Sequence, residues 1–188
     1  MTPDDGDLIR KTVRRDPQPF DELFNEYKAS VYRFAAYLTQ NRSDAEDLFQ
    51  ETWLRVIRYL PRTSNVRDFR AWILTITANL HRDALRKKRI RRLFFSHKTS
   101  GHDMNDGIGG AKSEKTDETN GLEMRFFINQ AMANLPNRQR RVFVLKEIEG
   151  FKHSEIGEML GLPVGTVKSL MHRAVKRLRR DLSDDTTT

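Results

Sequence analysis

The sequence predicts an all-α protein of two small helical domains, a helical bundle and a helix-turn-helix unit, joined by a flexible linker. Three observations predict it. Apolar residues recur at three- and four-residue spacing in both halves of the 188-residue chain, and no stretch alternates with period two for long. Between the halves, HKTSGHDMNDGIGGAKSEKTDETNG runs from His97 to Gly121 with half of the chain's ten glycines and almost no large apolar residue. Such a segment buries too little surface to offset its ordering entropy and reads as a tether. Near the end, two helical patterns are separated only by Gly161-Leu162-Pro163. The expected division is residues 1–95, a linker over 96–121, and residues 122–188.

In the first block, Asp16 and Pro17 look like an N-cap and a first-turn proline, after which Phe20, Leu23, Phe24, Tyr27, Val31, Phe34 and Leu38 recur at helical spacing. Ser43 and Glu46 form a capping-box pair ahead of a second stripe, Ala45, Leu48, Phe49, Thr52, Trp53, Val56, Ile57 and Leu60. Pro61 stops that helix. Phe69, Trp72, Ile73, Ile76, Leu80 and Ala84 mark a third, which runs into Arg86-Lys87-Lys88-Arg89. Trp53 and Trp72 are expected in the core rather than on a ligand platform.

The second block opens with Met124, Phe127, Ile128, Ala131 and Leu135 on one helix and breaks at Pro136. Val142, Phe143 and Leu145 carry the next helix, which Gly150 ends. Helices from Ser154 to Leu160 and from about Val164 to Leu182 complete it. Gly157, Gly161 and Val167 hold the spacing a helix-turn-helix needs: a small residue at the crossing, a glycine in the turn and a branched anchor in the second helix. An ordinary helical hairpin would also use Gly161.

Charge points to the partners. Lys and Arg number 34 against 26 Asp and Glu, a net charge of +8, which favours a polyanion. No cysteine occurs, so disulfides and thiolate metal sites are excluded, as suits a reducing cytosol. The N-terminus has no basic and apolar leader pattern, and nowhere do roughly 18 apolar residues run together, so a soluble, cytoplasmic chain without membrane insertion is expected.

No acid stands between Thr166 and Arg180, whereas Lys168, Arg173, Lys176, Arg177, Arg179 and Arg180 supply six cations. In a major groove, Thr166, Lys168, Ser169, His172 and Arg173 would read base edges while Lys176 and Arg177 meet phosphates. A second run, Arg82 to Arg92, holds seven cations and one acid, more than a helix C-terminus needs to complement its dipole. With Arg62, Asn65, Arg67 and Arg70 it is expected to meet DNA where duplex passes into single strand.

Asp44, Glu46, Asp47 and Glu51 give the second helix the opposite sign. Dipole matching accounts for part of this, and a cationic protein partner touching Asp47, Gln50 and Glu51 accounts for the rest. His81, His97, His102, His153 and His172 are scattered without metal-ligand spacing, and no phosphate loop or nucleophile elbow is present. No catalysis and no cofactor are expected.

Four segments together resemble the extracytoplasmic-function sigma factors of bacterial RNA polymerase: DAEDLFQETWLRVIRYL from Asp44, FRAWILTITANLHRDALRKKR from Phe69, LPNRQRRVFVLKEIEGF from Leu135, and the helix-turn-helix. The resemblance implies a sigma-2 domain whose Asp47, Gln50 and Glu51 dock on the clamp helices of core RNA polymerase. It implies capture of the promoter minus-10 strand by the loop from Pro61 to Arg67 and by Asn79, Arg82, Arg86 and Lys87, with Asp83 orienting neighbouring cations. It further implies a sigma-4 domain on the minus-35 duplex and the polymerase flap, a linker through the active-site cleft, and an anti-sigma protein as inhibitor. Leu170 stands where the family often has arginine, and Gly157 where it usually has alanine. A stand-alone helix-turn-helix regulator is the alternative, and a protein-interaction adaptor a weaker one. In the free chain the tether is expected to let the domains pack together and hide both DNA surfaces.

Overall fold

The structure, a computed structural model, describes residues 18–60, 66, 68–96 and 130–184, and the expected tether therefore lies outside the described residues. Three helices form a first lobe: α1 (Gln18–Thr39), α2 (Arg42–Tyr59) and α3 (Phe69–Ser96). A second lobe holds helical residues 130–134, α4 (Asn137–Phe143) running into a π-helical turn (Val144–Ile148), α5 (His153–Leu160) and α6 (Val164–Asp184). No strand occurs among the described residues.

The first lobe forms where its three stripes meet. Leu23, Val31, Phe34 and Leu38 of α1 bury against Ala45, Leu48, Trp53 and Val56 of α2 and Phe69, Ile73, Leu74 and Ala78 of α3. Trp53 lies edge-on to Phe24 at 4.8 Å and to Phe20 at 5.9 Å, and Tyr27 meets Phe69 at 5.2 Å. Each such pair adds about 0.5–1.5 kcal/mol beyond its buried area. Trp72 is only partly buried against this core.

Two side chains depart from the expected stripes. Ile57 is exposed because Val56 and Leu60 already define the inward direction at that turn. Ala84 is exposed because α3 leaves the bundle after His81. The cap of α2 also differs from the Ser43/Glu46 pair. Gln40 turns the chain at φ 56°, and extended Asn41 is the N-cap, its side-chain oxygen accepting the Asp44 amide at 3.0 Å. Ser43 thus sits inside the helix.

In the second lobe, α4 passes into a π-helical turn that its sequence does not announce, the Glu149 amide donating to the Val144 carbonyl at 2.9 Å. Gly150, at φ 78°, ends it. The Lys152 amide donates to the Glu155 carboxylate at 2.7 Å and starts α5. Gly161, at φ 64°, makes the turn into α6, where the Leu162 amide donates to the Gly157 carbonyl at 2.8 Å. Val167, Leu170, Ala174 and Leu178 bury one face of α6 at spacings of three and four.

The lobes pack on each other. α3 lies against α5 and α1 against α4, and most buried apolar residues of both lobes form one contiguous cluster, with Ala35, Ala45 and Leu48 in a smaller one between α1 and α2.

Candidate nucleic-acid interface

The outward face of α6 carries Thr166, Lys168, Ser169, His172, Arg173, Lys176 and Arg177, all exposed. Burying the Val167, Leu170, Ala174 and Leu178 stripe forces these intervening positions outward. Arg173 folds back along the helix, its Nη2 donating to the Ser169 hydroxyl at 3.0 Å, so the two present one polar unit. At the far end Asp181 takes Arg180 at 2.9 Å and lies 4.0 Å from Arg177, which leaves the cations of the first turns the less neutralised ones. Packing of the lobes leaves this face open, contrary to the expectation that both DNA surfaces would be hidden.

Along α3, Arg82, Arg86 and Lys87 are exposed and Asn79 is half-buried. Asp83 stands 3.9 Å from Arg82, close enough to orient it. Arg62, Asn65 and Arg67 lie outside the described residues. Arg70 is described, and it points into the seam between the lobes, where its guanidinium sits 5.0 Å from the Phe151 ring and donates to Glu149.

Asp47, Gln50 and Glu51 are exposed on one face of α2. The same face continues through Leu54, 59% exposed, and Ile57, 52% exposed. An acidic strip thus runs into bare apolar surface. Sequence reading placed Ile57 in the core; the odd phase of Leu54 and Ile57 relative to Trp53 and Val56 is the signal that could have found this face.

The seam holds the residues that sequence reading missed. Glu149 is fully buried as a side chain, and every partner of its carboxylate comes from the other lobe. One oxygen accepts from Arg33 at 2.9 and 3.1 Å, and the other from the Ser30 hydroxyl at 2.7 Å and from Arg70. Elsewhere in the seam, Arg140 is buried and donates to the carbonyls of Leu38, Met132, Ala133 and Leu135 at 2.6 to 3.1 Å. Burial lowers the pKa of Arg140 to about 10, and burial together with Arg82 and Arg138 lowers that of Arg141 to about 10. Beside them His81 is buried with its Nδ1 unpartnered, and burial, then Arg141 and Arg140, push its pKa down to about 4.

Among the described residues, no group of His, Asp and Glu could hold a metal ion and no helix is long and apolar enough to cross a membrane.

Comparison with known proteins places both lobes. Residues 23–91 match the family model of Sigma-70 region 2, and residues 128–178 match that of Sigma-70, region 4. The chain is 32% identical over 178 residues to the ECF RNA polymerase sigma factor SigW of Bacillus subtilis, covering 94% of this chain and 95% of that one. It is 33% identical to the ECF RNA polymerase sigma factor SigL of Mycobacterium tuberculosis, covering 86% and 88%. The fold is similar to that of CnrH, solved with the cytosolic domain of CnrY, at a TM-score of 0.69 and 23% identity over 97% of this chain and 99% of that one. It is also similar to the sigma factor RpoE of Bartonella quintana, solved with the anti-sigma factor NepR, at 0.67 and 24% over 87% and 96%. Two region models in order and full-length similarity to SigW lead to one conclusion: the chain belongs to the extracytoplasmic-function family of RNA polymerase sigma factors.

Proposed function

We propose that this chain, as a cytoplasmic, non-enzymatic subunit, binds core RNA polymerase and directs it to promoters bearing two spaced elements. The observation that carries the reading is the separation of three chemically distinct faces: the cationic outward face of α6, the cationic end of α3, and the acidic-to-apolar face of α2. A dimeric regulator needs only the first.

Residues 1–95 act as the sigma-2 domain, 96–121 as the linker and 122–188 as the sigma-4 domain. Asp47, Gln50 and Glu51 meet cations on the polymerase clamp, and Leu54 and Ile57 add the apolar contact that a stable interface centre requires. Thr166, Lys168, Ser169, His172 and Arg173 read the minus-35 duplex from the major groove while Lys176 and Arg177 hold its phosphates. Arg62, Asn65, Arg67, Arg70, Asn79, Arg82, Arg86 and Lys87 serve the minus-10 element. An anti-sigma protein that favours the packed lobes would silence the chain, as suits relatives solved with such partners.

Run-off transcription with core polymerase on a fragmented genomic library tests the reading. Discrete new starts sharing two upstream elements support it; absence of core-dependent starts, with tight binding to a palindrome by the chain alone, replaces it with the regulator.

A further inference from the structure

Arg33 and Ser30 belong to none of the surfaces assigned above, yet with Arg70 they build a fully paired polar site on Glu149. Two guanidinium groups and a hydroxyl converge on one carboxylate: Arg33 Nε and Nη2, Ser30 Oγ and Arg70 Nη2 donate to the two Glu149 oxygens. The cations keep partial contact with water, at 46% and 36% side-chain exposure, whereas the Glu149 carboxylate has none. A tetrahedral or planar oxyanion entering from outside would therefore find the same donors once Glu149 withdrew. Charge-assisted donors of this kind, arginine above all, bind phosphate as they bind carboxylate.

We propose that Ser30, Arg33 and Arg70 form a phosphate site for the nucleic-acid backbone, and that Glu149 is its internal occupant, which closes the two lobes and keeps DNA out until they part. The inference deepens the sigma reading and rests on it for the identity of the ligand. Glu149 contributes to its own lobe only through its backbone, capping the π-helical turn, so its side chain serves the other lobe alone. Arg70 adds a second reason. It lies on the same helix as the exposed cations Arg82, Arg86 and Lys87, so its release adds a cation at the other end of α3.

The test uses the full chain, which has no cysteine of its own, with dyes at E26C and S154C, both exposed positions, reporting the distance between lobes. A 12-nucleotide single-stranded thymidine oligomer is the probe. E149R should lower energy transfer and bind the oligomer at least tenfold more tightly than E158R, which makes the same charge change at an exposed position of the same lobe. R33A should reduce the salt slope of E149R by about 1, the loss of one phosphate contact. R33E with E149R should restore high transfer, which shows that E149R folds and that charge pairing closes the seam. Unchanged transfer in E149R overturns the closure, and equal binding by E149R and E158R overturns the phosphate site. Loss of core-dependent transcription by the wild-type chain would instead overturn the sigma reading and leave these two results standing.

Discussion

The seam between the lobes has two ends built on opposite electrostatic logic. At Glu149 a buried anion meets two arginines and a hydroxyl, and every lone pair in reach is used. At His81 the neighbours are Arg140 and Arg141, with Arg82 behind them, and the nearby acid Asp83 is exposed and faces Arg82 at 3.9 Å. Arg140 is stabilised by four carbonyls, but Arg141 Nε and His81 Nδ1 are buried without a partner. One end attracts and the other repels, so the packed state is held with a balance that a single charge can move. A seam made only of apolar contact would lack that property.

The largest effect should come from removing both cations of the attractive end. R33A with R70A leaves the Glu149 carboxylate buried and unpaired, which costs about 3–5 kcal/mol in the packed state. The lobes should then separate, read as lost energy transfer between them. Undiminished transfer would mean that apolar burial alone closes the seam and the comparison has only one side.

Acid should act at the other end. His81 is held neutral in the packed state, its pKa lowered from 6.5 to about 4, so separated lobes take up a proton that packed ones refuse. Packing therefore keeps its full His81 contribution above pH 6.5, loses it progressively as pH falls, and levels off below about 4 with a loss of up to about 3 kcal/mol. Energy transfer should fall between pH 6.5 and 5 in the wild-type chain, and much less in H81L, which packs the same space without a titratable group. Equal pH profiles would place the sensitivity elsewhere.

How much of this was legible beforehand follows from what kind of signal each part leaves. The helices of both lobes were legible because burial demands periodicity, and Val31, Phe34, Trp53, Ile73 and Val167 had to sit where the stripes put them. The outward face of α6 was legible because unbroken positive charge has few structural uses. The seam was not. Glu149 lies in a segment, EIEG, that looks like an ordinary polar helix end, and Arg33 is a lone cation in the run VYRFAAYL of α1, whose stripe its neighbours already account for. Their meaning comes from pairing across 116 positions of sequence, which no local pattern records. His81 was read as one of several scattered polar residues because nothing in its neighbours along the chain shows that it is buried near Arg140 and Arg141.

A face the seam leaves uncovered should be indifferent to both ends. Arg173 lies on exposed α6, so R173A should cost about 1–3 kcal/mol on a minus-35 duplex mapped by run-off transcription, if the guanidinium meets a base edge. The cost should be the same in the wild-type and E149R backgrounds. A cost that appears only in E149R would mean that packing does restrain α6, and footprints at limiting protein would show it.

The smallest effect reaches the seam through the turn. A Cβ on Gly157 would meet the Leu162 carbonyl oxygen at 2.8 Å, and because that oxygen belongs to the backbone of the turn, α5 must shift to admit it. G157A gains about 1 kcal/mol of helix propensity and loses about 1–3 kcal/mol to the contact, so the second lobe should lose about 1 kcal/mol net. α5 also packs on α3, and a shift in it moves the backbone that carries Phe151 beneath Arg70. The variant should therefore lower the melting temperature by a few degrees and also loosen the seam, seen as a modest fall in energy transfer. A change in melting with no change in transfer would show that the helix-turn-helix relaxes internally and that the seam is set by its charges alone.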